Sequence, residues 1–313
     1  MGIPGFILAA GIGKRLHPFT LHTPKPMLPL LDKPIIHHSV NSLLQANIKR
    51  IGIVISQNDT LIPQYIQKTF PELDIIFIVQ EEALGTAHAV MQLEDYTEKE
   101  NFLVIAGDSL FHASHLQQLG ALHNQERNAI TLSLEKMDFD QMKSSSTVDY
   151  HDRQVWEIRE KPTILDDVLS NLNSAALYVF SNSIFDLLCK IKKSIREEYE
   201  LASVINKMIK NGQRVGGLIT DKVYHFSNSH DLWRFNMEFL EKWSKRQNNG
   251  NLIEQSAEIS KSSKIKNSII GEDVIINNNV SIENTVILPS TIVEKDYINA
   301  LVQPGYYETF SSK

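Results

Sequence analysis

The sequence has one cysteine, Cys189, among 313 residues, and it contains no long apolar run. A single cysteine excludes an internal disulfide and a cysteine-rich zinc site, and it is typical of a reducing compartment. The apolar amino-terminal stretch lacks a preceding basic segment and is interrupted by Pro4, Gly5, Gly11 and Gly13, which argues against a signal peptide. No run reaches the roughly 18 residues that a membrane-spanning helix needs. We therefore expect a cytoplasmic protein with no membrane partner.

Positive charge is also scarce. The chain has 31 Lys and Arg against 37 Asp and Glu, a net charge of -6, which argues against a nucleic-acid partner. Apolar residues make up 42% and charged residues 22%, as in soluble globular domains rather than disordered chains. The length is sufficient for one large or two ordinary domains.

The first two thirds of the chain alternate short apolar or β-branched runs with longer segments of helical spacing. The predicted strands are 5–9, 50–55, 75–79, 102–106 and 130–134, and the predicted helices between them are 35–46, 61–70, 86–93 and 113–124. This alternation predicts an α/β fold with a parallel sheet and crossover helices. Beyond it we expect a hairpin over 147–162 at the sheet edge, a strand over 175–180, and helices near 184–191 and 201–211.

Beyond Gly250 the spacing of the aliphatic residues changes. Aliphatic residues recur every six positions with one five-residue step, at Ile253, Ile259, Ile265, Ile270, Ile276, Ile282 and Leu288. A six-residue repeat predicts a parallel β-helix, and ordinary antiparallel strands with polar turns are the alternative. The predicted division is therefore a domain over 1–250 that ends in a linker helix over 229–247, a repeat domain over 251–296, and a tail over 297–313.

A glycine-rich loop follows the first predicted strand. It reads Ala10-Gly11-Ile12-Gly13-Lys14-Arg15, and a Thr-Pro-Lys-Pro segment containing Lys25 comes after it. The glycines permit a tight turn in which backbone N–H groups approach phosphate oxygens. Arg15 can bind phosphate through two parallel hydrogen bonds, and Lys25 supplies a point charge. A dinucleotide motif would need glycine at Leu16, and a P-loop would need Ser or Thr at Arg15. The loop predicts a triphosphate site.

Four later segments extend this pattern in a fixed order: Gln80–His88, Gly107–Ser109, Glu160–Pro162 and Glu200–Ser203. With the loop, they resemble the sugar-1-phosphate nucleotidyltransferases, also called sugar-nucleotide pyrophosphorylases, over nearly the whole chain. Many members of that family also carry a short hexapeptide domain. The resemblance implies a Rossmann-like nucleotidyltransferase domain with a mostly parallel sheet, followed by a short left-handed parallel β-helix.

The resemblance also implies the residues that bind substrate. The nucleotide site would contain Ala10, Gly11, Gly13, Lys14, Arg15, Gln80, Gly85 and Thr86. Gln80 is expected to read uracil or thymine, since its amide offers a donor and an acceptor. Glu160 would accept hydrogen bonds from sugar hydroxyls, and Lys161 would neutralise the sugar phosphate.

A sugar-facing segment follows the predicted hairpin. Either Asn173 or Ser174 faces the sugar in this interpretation, and we assign Asn173. Ala176 stands where the family favours glycine. An isolated Gln or a Glu-Lys pair is more often solvated surface, so these assignments depend on the resemblance.

Asp108 is the predicted ligand of the cofactor Mg²⁺. It ends an apolar strand, and ligands bind outside the carboxyl ends of strands in open α/β sheets. Mg²⁺ takes one or two protein carboxylates together with phosphate oxygens and waters. A helix N-cap or a turn residue without a ligand is the alternative for Asp108. His225 occupies the position of the family's second metal-binding Asp; imidazole suits Mg²⁺ poorly, so a structural or substrate-contacting histidine is the alternative to a metal ligand.

The expected reaction is in-line attack of a sugar 1-phosphate oxygen on the α-phosphorus of a nucleoside triphosphate. Arg15, Lys25 and Lys161 counter its charge. UTP or dTTP with glucose 1-phosphate or N-acetylglucosamine 1-phosphate is the favoured pair. GTP with mannose 1-phosphate, or a catalytically weak sugar-nucleotide sensor, is the alternative. No histidine follows His230, so we expect the repeat domain to lack an acyltransfer base and to support assembly of a homo-oligomer.

Overall fold

The computed structural model describes residues 2–194, 196–247 and 250–311. The chain forms two compact units. The first contains the residues up to 11 together with 38–224, and the second contains 12–37 together with the residues from 225 onward.

A nine-stranded sheet forms the centre of the first unit. Its strands are β1 Gly5–Leu8, β2 Ile51–Ser56, β3 Ile75–Gln80, β4 Phe102–Ala106, β5 Ile130–Lys136, β6 Ser146–His151, β7 Gln154–Glu160, β8 Leu172–Phe180 and β9 Val215–Ile219. The spatial order is β3-β2-β1-β4-β8-β5-β9-β7-β6. Seven strands run in one direction, while β7 and β8 run in the opposite one. The mostly parallel sheet and the edge hairpin are confirmed, and the observed strand ends differ from the predicted ones by at most three residues.

The helices largely follow the predicted segments. They are α1 Ile35–Gln45, α2 Leu61–Thr69, α3 Thr86–Met91, α4 Ala113–Glu126, α5 Phe139–Met142, α6 Phe185–Leu188, α7 Leu201–Lys210 and α8 Ser229–Gln247. The helix predicted near 184–191 is shorter, because a 3₁₀ turn over Asn182–Ile184 precedes α6. No helix within the described ranges has the length and apolar character that crossing a bilayer requires.

Aromatic contacts mark the centre of the first unit's core. The rings of Phe6 and Phe102 meet edge to face with centroids 5.9 Å apart, and Phe102 lies 5.5 Å from Phe180. These residues come from β1, β4 and β8, which are neighbours in the sheet. All three side chains are at most 2% exposed, as expected for central strands covered on both faces.

Helix α8 packs within the second unit. The Asn236 side chain, which is fully buried, accepts a hydrogen bond from Leu31 N (2.7 Å) and donates one to Pro29 O (3.0 Å). Farther along the chain, Trp233 Nε1 donates to Asn284 O over 2.8 Å. The compact units therefore divide before α8, whereas the change of sequence period at Gly250 predicts a boundary after it.

Short parallel strands form three sheets in the second unit. The first contains Leu252–Ile253, Ile269–Ile270, Val286–Ile287 and Ala300–Gln303; the second contains Glu258–Ile259, Ile275–Ile276 and Ile292–Val293; the third contains Lys264–Lys266, Ser281–Glu283 and Tyr297–Ile298. Paired residues such as Ile253 and Ile270 are separated by one coil of the chain. These sheets have the arrangement expected of a parallel β-helix.

Asparagines occupy one corner of these coils. Asn267, Asn284 and Asn299 all have φ between 47° and 50°, a conformation that asparagine tolerates better than most residues. Their side chains form a ladder, in which Asn267 Nδ2 donates to Asn284 Oδ1 (2.7 Å) and Asn284 Nδ2 donates to Asn299 Oδ1 (3.0 Å). The repeat thus turns where side-chain amides stabilise a left-handed backbone.

The prediction that Leu288 continues the aliphatic column is wrong. Ile287 takes that place and pairs with Ile270 and Val302. The reason is a second five-residue step, between Ile282 and Ile287, which makes each coil shorter than three six-residue steps.

The predicted tail over 297–313 is also structured through residue 309. Tyr297–Ile298 and Ala300–Gln303 continue the parallel sheets, and Tyr306–Thr309 pairs antiparallel with Ala300–Gln303. The last coil is shorter than the earlier ones, so the six-residue period no longer reveals it. Residues 312 and 313 lie outside the described residues.

Candidate active site

Asp108 lies beyond the carboxyl end of β4, as predicted. Gly107 N donates to Leu8 O over 2.8 Å, which joins the ends of β4 and β1. The partly exposed Asp108 follows in a turn and accepts a hydrogen bond from Ser109 Oγ over 3.2 Å. Of the two structural alternatives, the turn residue agrees with the structure, whereas the helix N-cap is wrong, because α4 begins at Ala113 and His112 precedes it at the N-cap position.

Asp108 fits a magnesium ion that is bound partly by the protein and partly by phosphate oxygens of the substrate. The carboxylate of Asp108 supplies the hard oxygen donors that Mg²⁺ prefers, and phosphates and waters would complete the shell. Within the described part of the chain, no cluster of three or more His, Cys, Asp or Glu could hold a metal ion. His225 ends the short strand Tyr224–His225 and belongs to the second unit, so its metal role stays a prediction.

The predicted base-reading residues lie around one loop of the first unit. Gln80 is the last residue of β3 and is only 5% exposed, while Thr86 is the exposed first residue of α3. Gly85 has φ of 107°, and a Cβ there would lie 2.6 Å from Tyr199 O. Glycine is therefore required at this position both by conformation and by space.

Sequence reasoning did not single out His88, although it belongs to the same motif. Its Nδ1 lies 2.9 Å from Gln80 Nε2. The ring of Tyr199 stacks beside it, with centroids 6.1 Å apart. The sequence signal that could have indicated His88 is its position eight residues after Gln80. The chain between them forms the loop, and His88 lies in the first turn of α3.

The glycine-rich loop begins in the first unit and continues into the second. Ala10 is buried and Gly11 is exposed directly after β1, while residues 12–37 belong to the second unit. Gly13 has φ of 68°, and its carbonyl accepts a hydrogen bond from Thr20 Oγ1 over 2.9 Å. The predicted need for glycine in a tight turn is thus met at Gly13.

The basic residues of the loop differ in their surroundings. Lys14 and Arg15 are exposed within a 3₁₀ turn over Lys14–Leu16, as mobile phosphate-binding side chains require. Lys25 is 8% exposed, and a Cβ added at Gly13 would lie 3.1 Å from Lys25 Cβ. The stem of Lys25 is therefore packed against the turn.

Two of the motifs meet at one cavity of the first unit. It has a volume of about 350 Å³ and is lined by Ile158, Arg159, Glu160, Lys161, Pro162, Asp167, Arg196, Glu200, Ala202, Ser203 and Asn206. Segments 160–162 and 200–203 are far apart in sequence, and β7 and α7 bring them together. The cavity is rich in charge of both signs, which suits a polyhydroxylated, phosphorylated ligand.

Glu160 is the most perturbed carboxyl group of this cavity. Burial raises its pKa from 4.5 to about 7, and the neighbouring charge of Glu200 adds to the rise, while Lys161 and Arg196 oppose it. A carboxyl group with this pKa changes protonation state near neutral pH. Glu160 can therefore present either an acceptor pair or a donor to a ligand.

Arg196 is a cavity residue that sequence reasoning missed. Its Nε and Nη2 lie 2.9 and 2.7 Å from Glu200 Oε1, and Ser194 Oγ donates to the same oxygen over 2.7 Å. The sequence signal for Arg196 was its position four residues before Glu200, although Arg and Glu at this spacing are common on protein surfaces.

Asn173 serves an internal network rather than an open surface. It is 1% exposed, and its Oδ1 accepts from Ser145 Oγ (2.6 Å), Ser146 N (3.0 Å) and Ser146 Oγ (2.8 Å). Its Nδ2 donates to Glu135 Oε1 over 3.0 Å. Because Oδ1 already accepts these hydrogen bonds within the protein, the geometry does not support the predicted contact between this oxygen and the sugar. Ser174 Oγ likewise donates to Tyr178 OH over 3.0 Å.

Comparison with known proteins gives a consistent result. A sequence model described as "Nucleotidyl transferase" matches residues 4–261. The bifunctional protein GlmU of Methanococcus maripaludis is 32% identical over 237 residues, covering 75% of this chain and 54% of its own length. The UTP–glucose-1-phosphate uridylyltransferase AglF of Haloferax volcanii is 29% identical over 218 residues, covering 69% of this chain and 87% of its own. The chain spans about half the length of the GlmU relatives that it matches.

Among solved structures, UDP-glucose pyrophosphorylase complexed with UDP-glucose superimposes with a TM-score of 0.67 at 21% identity. The match covers 77% of this chain and all of that one. At this identity the similarity supports the Rossmann-like α/β fold.

Proposed function

Because the chain belongs to the nucleotidyl transferase family, we propose that it transfers a nucleotidyl group from a nucleoside triphosphate to a sugar 1-phosphate, with release of pyrophosphate. The observation that carries this proposal is the cavity in which Glu160 and Lys161 meet Glu200 and Ser203. Its charged groups suit a sugar phosphate, with Lys161 beside the phosphate and Glu160 beside the hydroxyls.

The reaction needs no protein nucleophile. The attacking phosphate oxygen of the sugar is already anionic at neutral pH, so the protein contributes alignment and charge neutralisation. Asp108 would hold Mg²⁺, which when bound neutralises phosphate charge. Exposed Arg15 would stabilise the departing pyrophosphate, and Lys25 and Lys161 would counter charge on the reacting phosphates.

For substrates we propose UTP or dTTP with glucose 1-phosphate or N-acetylglucosamine 1-phosphate. Support comes from Gln80, whose amide suits a uracil or thymine edge, and from the UTP-dependent relative AglF. GTP with mannose 1-phosphate is the alternative. We also propose a cytoplasmic location, consistent with the free thiol of exposed Cys189.

The competing function is a catalytically weak sugar-nucleotide sensor. His225 favours it, because imidazole stands where a second carboxylate is expected and suits Mg²⁺ poorly. Pyrophosphate release with a panel of triphosphates and sugar 1-phosphates distinguishes the two. We expect turnover with a uracil or thymine nucleotide. Tight nucleotide binding without turnover for any pair would establish the sensor, and turnover with GTP alone would overturn the pyrimidine assignment.

We further propose that the carboxyl-terminal sheets form a left-handed β-helix that assembles the protein into a homo-oligomer. Ile275 and Ile292 are paired on one sheet and are 40% and 61% exposed, which leaves apolar surface for a second copy to cover. Light scattering of the protein beside an Ile292→Lys variant tests this. An oligomer that the variant weakens is expected, and a monomeric wild-type protein would contradict the assembly.

A further inference from the structure

The orientation of the Gln80 carboxamide is fixed by His88. Gln80 Nε2 lies 2.9 Å from His88 Nδ1. An amide nitrogen donates hydrogen bonds and does not accept them, so Nδ1, which makes the short contact, is the acceptor and the ring carries its proton on Nε2. The amide of Gln92 lies 3.5 Å from Nε2 and directs its N–H to the His88 carbonyl instead, over 3.2 Å. Gln80 is 5% exposed, so little water competes for this contact. Turning the amide over would set the lone pairs of Oε1 against that of Nδ1.

The His88 ring is itself held in place. The ring of Tyr199 lies beside it at an angle of 25°. The backbone of Tyr199 secures the loop on both sides, since its N–H donates to Leu84 O (2.8 Å) and its carbonyl accepts from Ala87 N (3.0 Å). Gln92 Nε2 donates to the His88 carbonyl over 3.2 Å. The acceptor offered to Gln80 therefore has a fixed position.

A fixed amide matters because pyrimidines present edges of opposite polarity. Uracil and thymine place a donor at N3 beside an acceptor at O4, whereas cytosine places an acceptor at N3 beside a donor at N4. A carboxamide that turns freely pairs with either edge, because its oxygen accepts and its N–H donates. Once one N–H is directed to His88, Oε1 and the other N–H keep a single spatial order.

We infer that His88 is a positioning residue that gives the nucleotide site its preference for uracil or thymine over cytosine by fixing the Gln80 amide. The inference depends on the proposed function, in which Gln80 reads the base. His88 acts through Gln80 and needs no contact with the nucleotide. UTP and CTP, which are nearly equal in size and differ in the polarity of this edge, are the matched probes.

The test compares kcat/KM for UTP and CTP, with glucose 1-phosphate as acceptor, in three variants. His88→Leu removes the acceptor, and we expect the UTP to CTP ratio to fall by about tenfold or more, with a higher KM for UTP. His88→Asp restores an acceptor that cannot donate, and we expect it to keep the ratio within about threefold. Gln118→Leu, at an exposed position of α4 outside the site, is the control, and we expect it to leave the ratio unchanged.

A ratio that stays unchanged in His88→Leu, or that falls equally in His88→Asp, would overturn the role of His88 alone. A wild-type protein that uses CTP as readily as UTP, or uses neither, would overturn the base assignment of the proposed function as well. Nitrogen NMR of labelled histidine in the wild-type protein provides a test that needs no variant. The neutral tautomer with its proton on Nε2 is expected, and a proton on Nδ1 would overturn the inference.

Discussion

Arg196 and Glu200 form an ion pair in which two guanidinium nitrogens share one carboxylate oxygen, at 2.9 and 2.7 Å. Both residues line the cavity that contains Glu160. Burial raises the pKa of Glu160 to about 7, and the negative charge of Glu200 adds to this rise. The cavity thus holds an ion-paired carboxylate beside a carboxyl group that titrates near neutrality.

Glu160→Gln is expected to stabilise the protein at alkaline pH. The folded state holds the Glu160 proton up to about pH 7, whereas the unfolded state releases it near 4.5, so wild-type stability falls as pH rises through this window. The loss is about 2–3 kcal/mol. Urea unfolding at pH 8 and pH 4 measures it. The free energy of unfolding of the variant, relative to that of the wild type, should be higher at pH 8 than at pH 4. Equal differences at the two pH values would contradict the raised pKa of Glu160.

Ala176→Gly is expected to raise the free energy of unfolding by up to about 1 kcal/mol. Ala176 has φ of 54°, in the left-handed region, at an irregularity in the pairing of β8 with β5. Glycine adopts this conformation without the Cβ clash, and its greater freedom in the unfolded chain offsets part of the gain.

The matched control is Ala175→Gly. Ala175 is fully buried in β8 and is absent from the positive-φ region, so its replacement should destabilise the protein. Urea unfolding of both variants makes the comparison. Equal destabilisation by the two substitutions would show that the backbone at residue 176 carries no strain.

We expect His123→Leu to reduce the fall in the free energy of unfolding that the wild-type protein shows as the pH is lowered. Burial lowers the pKa of His123 from 6.5 to about 4, and its Nε2 is the one fully buried side-chain nitrogen or oxygen without a partner in the described ranges. The unfolded state binds a proton below about pH 6.5 and the folded state resists it until about pH 4, so wild-type stability falls by about 2–3 kcal/mol between these values.

Thermal unfolding across this pH range measures the effect. Thr131 keeps the hydrogen bond from Asn128 Nδ2 in the variant, which limits the disturbance at neutral pH. Gln118→Leu, at an exposed position of α4, serves as the control that removes no titrating group. An acid slope that His123→Leu leaves as steep as in the wild type would refute the assignment.

Asp108→Asn is expected to lower kcat by about a hundredfold or more. The substitution keeps the size and hydrogen bonding of the side chain but removes the charge that would hold the metal. Binding of the triphosphate should change less than turnover. Steady-state kinetics at saturating Mg²⁺ provide the measurement, and near-normal turnover would remove Asp108 from the mechanism.

Sequence patterns predicted the elements whose environment is uniform along the chain. Strand β4 reads as an unbroken apolar run because helices cover both faces of the sheet, so its bounds were found without error. The six-residue period likewise predicted parallel coils, but it misplaced Leu288 and missed the strands after Tyr297. The first error arises because the five-residue step recurs in the second coil, and the second because the last coil is shorter than those before it.

The position of a candidate site residue could be predicted where it follows directly from the fold. It could not be predicted where it depends on contacts with residues that are distant in sequence. Asp108 at a strand end follows from the geometry of parallel sheets. Asn173 has the right chemistry for a sugar, yet tertiary contacts with Ser145 and Ser146 engage its oxygen. Arg196 and His88 gain significance only from what they touch, which the sequence alone does not reveal.

The central claim is nucleotidyl transfer, and the fate of the α-phosphorus tests it most directly. UTP labelled at the α-phosphorus is incubated with glucose 1-phosphate, Mg²⁺ and the protein, and the products are separated. We predict that the label enters a nucleoside diphosphate sugar while unlabelled pyrophosphate is released in equal amount. Label recovered as UMP or UDP without any sugar nucleotide, or label that stays in UTP for every acceptor supplied, would contradict the account.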